Sequence, residues 1–249
     1  SAGLKEREAM LTTNVGFALT TIGARQEARA ALEAGLALAD AIGSPGAVRH
    51  AQMNLLGWAA TFGNDRGLEA HLAETRADAD TAAAGVWAAP DRANLGALFY
   101  RGWELLRAKG DTVCARSRGL LKFCAETYRA TGNNDLLPVA LAVWAEAERR
   151  CGNLTRALEL ANEAADLLEG GAPSLLNEST VYLALHDVRA DLGDETGALN
   201  AIIRAMAPLK RRLEGLVGTP YARLFLSELP QNAALVALAE GHGFMPEEI

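Results

Sequence analysis

Four histidines and three cysteines are the side chains best suited to bind a metal or attack a substrate, and their spacing arms them poorly. His50, His71, His186 and His242 fall in different stretches, and none has a second His or Cys at metal-ligand spacing. No Gly-x-Ser-x-Gly elbow presents a serine. No glycine-rich turn leads into Gly-Lys-Ser/Thr to cradle a phosphate. Gly241-His242-Gly243 lies near the C-terminus rather than between a strand and a helix, so it is no dinucleotide fingerprint. Carboxylates are plentiful, but Asp65, Asp111, Asp194 and Glu195 stand at helix starts, where they cap and face the positive end of the helix dipole. The residues therefore imply no catalytic site, no metal and no cofactor. Cys114, Cys124 and Cys151 are too few for a disulfide framework and read as buried, reduced thiols, which fits a reducing cytoplasm.

The bulk composition narrows the fold. Half of the chain is hydrophobic and only 6% is aromatic, with Ala and Leu abundant, so an all-α fold is expected. A formal charge of −7 excludes nucleic acid as the main partner, because a phosphate-neutralising protein needs a basic face. The one basic cluster, Lys210-Arg211-Arg212, reads as favourable charge near a helix C-terminus. No apolar run reaches the roughly 18 residues of a membrane span, and no secretory pattern opens the chain. The triplets Asn153-Leu154-Thr155 and Asn177-Glu178-Ser179 then read as chance matches to a glycosylation signal. The opening Ser-Ala-Gly, without Met, reads as the scar of a cut from a longer protein.

Apolar periodicity places the elements that any site must sit on. Three- and four-residue steps predict helices over 5–22, 27–42, 47–62, 66–84, 91–109, 112–131, 136–150, 154–168 and 174–192. A tenth starts near Glu195, with Pro208 expected to kink or divide it, and a last segment over 221–241 breaks near Pro230. In the first helix Leu11, Val15, Ala18, Leu19 and Ile22 share the face expected to turn inward. Gly23, Gly63, Gly110, Gly152 and Gly193 are 40, 47, 42 and 41 residues apart, the period of a solenoid. Five residues after each stand Ala28, Leu68, Ala115, Ala157 and Ala198. Residues 1–218 thus read as five hairpins, over 5–42, 47–84, 91–131, 135–169 and 174–215. Residues 219–249 read as a C-terminal cap.

Within this period, Met53-x-x-Leu56-Gly57-x-x-Ala60 followed by Leu68-x-x-x-Leu72 resembles the tetratricopeptide repeat, and the likeness covers about residues 5–215. It implies a right-handed all-α solenoid of five antiparallel helix pairs with a capping helix. The tail, from Tyr221 through Leu229-Pro230-Gln231-Asn232 to Leu238 and Ala239, resembles one found after such repeats in large bacterial regulators. Those regulators carry a nucleotide-binding ATPase module and sometimes a kinase or cyclase. The resemblance implies a non-catalytic interaction or regulatory domain of a bacterial signalling protein, holding a protein or peptide in a concave groove. The alternative it leaves open is a sensor of a small ligand or signal peptide that controls an attached kinase, ATPase or transcription effector. An enclosed apolar cavity near Trp58 or Trp103 would favour that alternative.

In the family the first helix of each pair lines the groove. The inner positions lie about thirteen, ten, six and three residues before each turn glycine, one fewer for most of the second repeat. They select Phe17 from the first repeat; His50, Asn54 and Trp58 from the second; Tyr100, Glu104 and Arg107 from the third. The fourth contributes Glu146 and Arg149, and the fifth Asp187. Aromatic anchors beside charges of both signs suit an extended peptide or a helix. On the competing reading, neighbouring helices bury the aromatics and the charges pair at i, i+3. The Lys/Asn/Arg clamp of chaperone-binding relatives is not reproduced, since Thr13 and Phe17 stand where Lys and Asn belong.

Overall fold

A computed structural model describes residues 2–63, 68–82, 92–107, 111–174 and 176–244. These residues form twelve α-helices and no strand. In order they are α1 (Ala2–Thr21), α2 (Arg25–Ala41), α3 (Pro45–Phe62), α4 (Glu69–Ala82), α5 (Arg92–Leu105) and α6 (Asp111–Ala130). There follow α7 (Leu137–Arg150), α8 (Leu154–Glu169), α9 (Ser179–Asp191), α10 (Glu195–Glu214), α11 (Tyr221–Ser227) and α12 (Pro230–Gly241).

The turns follow the glycines. Gly23, Gly63, Gly152 and Gly193 have φ of 82°, 94°, 81° and 75°. This is the left-handed region where a missing Cβ removes the steric cost of reversing the chain. Gly110, the remaining turn glycine, lies outside the described residues. Asp194 caps α10 by accepting the Gly197 N–H at 2.9 Å, as its place in the sequence implies; Asp65 and the Asp111 side chain lie outside the described residues. Two boundaries differ from the periodicity. α10 runs through Pro208 without a break, held by the buried Leu209 and Ala205 on either side. α9 starts at Ser179 rather than near 174, because the Asn177 side chain accepts the Ser179 N–H at 3.2 Å and closes a turn there.

The chain divides into two compact units, residues 1–107 and 108–249. In the first, α1 packs on α2 and α3, and α3 in turn on α4 and α5. Small residues bring these helices together: a methyl group on Gly16 would stand 2.6 Å from Leu32, and one on Gly57 2.9 Å from the Tyr100 ring. This close packing overturns the expected inner face of α1. Ala9, Thr13, Gly16 and Thr20 are buried, while Leu11 and Val15 are 65% and 54% exposed and Ala18 is exposed as well. The small-residue face admits Leu32 of α2, which packs over Gly16 and is fully buried there.

In the second unit, α7 touches α6, α8 and α9, and α9 touches α8 and α10. Cys114, on α6, and Cys151, just past α7, form a disulfide, which leaves Cys124 as a buried thiol outside it. The reading of all three as reduced thiols is corrected: spacing in sequence cannot show that the first turn of one helix meets the end of the next. The tail lies on α9 and α10 through α12, with Phe225 and Leu235 buried and Leu224, Leu226 and Leu238 half-buried. It is pinned by a buried amide pair. Asn177 donates to the Asn232 side-chain oxygen at 2.6 Å, and Asn232 donates to the Phe225 carbonyl at 2.8 Å. The Lys-Arg-Arg cluster ends α10 as expected, with Arg212 donating to the Ser174 and Leu176 carbonyls at 3.0 Å each.

Candidate functional site

In the first unit the expected groove residues divide between core and interhelical ties. Phe17 and His50 are half-buried, and His50 Nε2 lies 3.0 Å from Asn14 Oδ1, joining α3 to α1. Asn54 is buried and donates back to the His50 carbonyl at 2.9 Å. Trp58 is 1% exposed; its indole N–H donates to the Arg25 carbonyl at 2.9 Å, and the Arg25 guanidinium lies 5.5 Å from its ring centroid. Tyr100 is 6% exposed against Gly57, and burial pushes its hydroxyl well above the usual range. Asn54, Trp58 and Tyr100 are therefore corrected from open-groove anchors to core. α3 is flanked by α1, α2, α4 and α5, which leaves it little free surface.

The charges of this unit close on each other. Glu104 accepts from Arg76 Nε at 3.0 Å and, more closely, from a second Arg76 nitrogen, and from Arg101 at 2.7 Å. Arg101 also grips both Asp80 oxygens, at 3.0 and 3.1 Å. Burial alone would lower the Arg101 pKa, but the hydrogen bonds to Asp80 and Glu104 outweigh it and hold the value above the ordinary one. Arg107 donates to the Thr61 carbonyl at 2.6 Å, satisfying the last turn of α3, and burial depresses its pKa. Arg76, Asp80 and Arg101 escaped the groove pattern. The signal for them was the i, i+4 pair Arg76/Asp80 and the i, i+3 pair Arg101/Glu104.

In the second unit Glu148 is buried and accepts from Trp144 at 2.9 Å, whereas the other charges of α7 and those facing them on α9 stay within reach of solvent. Arg149 grips Glu146 through two hydrogen bonds, at 2.7 and 3.0 Å, and reaches from α7 to Asp191 on α9 at 2.7 Å. Arg150 pairs with the same Glu146. Asp187, one turn before Asp191, lies 2.8 Å from His186 Nδ1. Hydrogen bonding to Glu146 raises the Arg149 pKa despite burial, so the guanidinium is permanently charged. Burial raises the Asp187 carboxyl above its ordinary value, against the opposing pull of His186 and Arg149. The strip thus carries three carboxylates and two guanidiniums, with Asp187 a third exposed and Arg150 and Asp191 nearly half exposed. Glu146, Arg149 and Asp187 were expected here; Arg150 and Asp191 were not. Both stand two residues before a turn glycine, a repeat correspondence that would have found them.

Such a strip can orient a charged partner, and its acids and bases are already paired rather than poised for proton transfer. Among the described residues no group of three His, Cys, Asp or Glu side chains is placed to hold a metal ion. No described helix is long and apolar enough to cross a membrane. Comparison with protein-family models and with curated proteins finds no match for the chain.

Proposed function

We propose that this chain is a non-catalytic interaction and regulatory domain of a bacterial signalling protein, built as a right-handed tetratricopeptide-like solenoid. Support for the repeat comes from the order of packing. First helices meet first helices, α1 on α3, α3 on α5 and α7 on α9, while the second helix of each pair meets the next first helix. The α11–α12 tail on the last pair supports a cap. One observation carries the binding reading: charged side chains from two successive first helices, α7 and α9, form one part-exposed strip. A protein or peptide segment of mixed charge suits it, and the acidic chain as a whole suits no nucleic acid. The small-ligand alternative loses support where Trp58 is packed into the core. Placement in the cytoplasm has the Cys114–Cys151 bond against it, since reducing compartments keep thiols apart.

The test is to isolate the partner from the source cells with the wild-type chain, then titrate it against Arg149→Glu and Asp191→Lys. Each substitution should weaken binding by about 1–4 kcal/mol if the strip anchors the partner. Added salt should weaken the wild-type complex. Unchanged affinity in two folded variants defeats the reading.

A further inference from the structure

α1 breaks a rule that the other first helices obey. Twelve, eight and five residues before each turn glycine lies a stripe that is buried in every later pair. On α3 it is Ala51, Leu55 and Trp58; on α9 it is Val181, Leu185 and Val188; none of the six is more than 1% exposed. The corresponding positions of α5 and α7 are buried too. In each case the second helix of the preceding pair packs against that first helix: α2 on α3, α4 on α5, α6 on α7, α8 on α9. Trp58 shows the contact in detail, with its N–H on the first turn of α2 and the Arg25 and Arg29 guanidiniums over its ring.

On α1 the same register falls on Leu11, Val15 and Ala18, all exposed, with the exposed Leu4 two turns before Leu11 on the same side. Leu4, Met10, Leu11 and Val15 make up half of the large apolar side chains exposed among the described residues, so bare apolar surface concentrates on this one helix. The opposite side of α1 is already buried against α2.

We infer that this stripe is a stacking face. It seats a further helical hairpin of the same repeat, carried by the same polypeptide ahead of α1, whose second helix lies on Leu11 and Val15 as α2 lies on α3. The interface is continuous in register with four that the structure contains. Ala18 stands where α3 has Trp58, so the covering helix must supply the bulk there. Glu8, exposed on the same stripe between Leu4 and Leu11, calls for a basic side chain opposite it. A second copy fits less well. Two α1 stripes face to face would set first helix against first helix on this stripe, where each of the four stacked interfaces has a second helix.

The test compares residues 1–249 with the full-length gene product, each carrying Leu11→Cys or Val15→Cys, by the rate of maleimide labelling under native conditions. Labelling should be fast in residues 1–249 and slower by about tenfold or more in the full-length product, where packing must open first. Val15→Arg should leave the melting temperature of residues 1–249 unchanged and lower that of the full-length product. Equal labelling rates in the two forms would overturn the inference. So would protection in residues 1–249 that grows with protein concentration, which would assign the stripe to a second copy. Protection of the full-length product only after another protein is added would overturn it as well.

Discussion

The two units bury their aromatics alike and treat the charges of their first helices differently. In residues 1–107, Trp58 and Tyr100 are core and Glu104 is locked between two arginines. In residues 108–249, Arg149 and Asp187 remain part-exposed on neighbouring first helices. Glycine does not set the aromatics apart, since Trp144 on α7 and Tyr182 on α9 are buried without one. In the first unit Gly57 opens a dent that takes the Tyr100 ring, and Gly96 faces Met53 in the same way. α7 has no glycine, and its inner positions Val139 and Ala142 are fully buried by themselves. The long side chains beyond them bridge from helix to helix with their heads near water. The outer helices differ too. α1 leaves a leucine stripe bare, whereas α9 and α10 carry α12 and the Asn177–Asn232 pair. Similar packing rules thus produce one unit whose charge pairs are largely covered and one whose charge pairs stay part-exposed.

Trp58→Ala is the strongest way to break this comparison. Removing a fully packed indole should cost about 3–5 kcal/mol of stability, measured by denaturant unfolding. A loss well under that, together with weakened partner binding, would return Trp58 to the surface. A subtler pair of variants sharpens the contrast between the charge clusters. Glu104→Ala strands Arg76 and Arg101 between α4 and α5 and should cost about 1–3 kcal/mol. Arg149→Ala, in the wetter strip, should cost under about 1 kcal/mol. Equal losses would show that the two clusters are alike.

The smallest effect is one of pH. The raised Asp187 pKa means that the folded chain holds this proton more tightly than the unfolded chain does. Stability from this group therefore falls as pH rises from the unfolded pKa through the folded one, and the loss is complete above it. Asp187→Asn should then stabilise the chain at pH 7, by less than about 1 kcal/mol because solvent screens a part-exposed group. The gain should vanish below about pH 4, where the wild-type carboxyl is also protonated. Urea melts at both pH values give the answer. A destabilised variant at pH 7 would show that His186 and Arg149 hold the carboxylate more strongly than burial opposes it.

The helical class, the turns at Gly23, Gly63, Gly152 and Gly193, and most helix limits were legible in the residues. Ala- and Leu-rich periodicity and αL glycines act locally, over one helix or one turn, and so survive without tertiary context. The break at Pro230 and the cap at Asp194 belong with them. The i, i+3 pairing of Glu146 with Arg149 was legible for the same reason.

What only the tertiary structure decided is which side of each helix meets a neighbour. α1 has two usable stripes, one of Leu and Val and one of Ala, Thr and Gly, and no local rule ranks them. The choice of the smaller stripe depends on Leu32 arriving from α2. Trp58 on α3 and the junction of Cys114 with Cys151 were settled in the same way, by partners 33 and 37 residues distant. Local propensity writes the helices; long-range packing, which the chain reaches only by folding, assigns their faces.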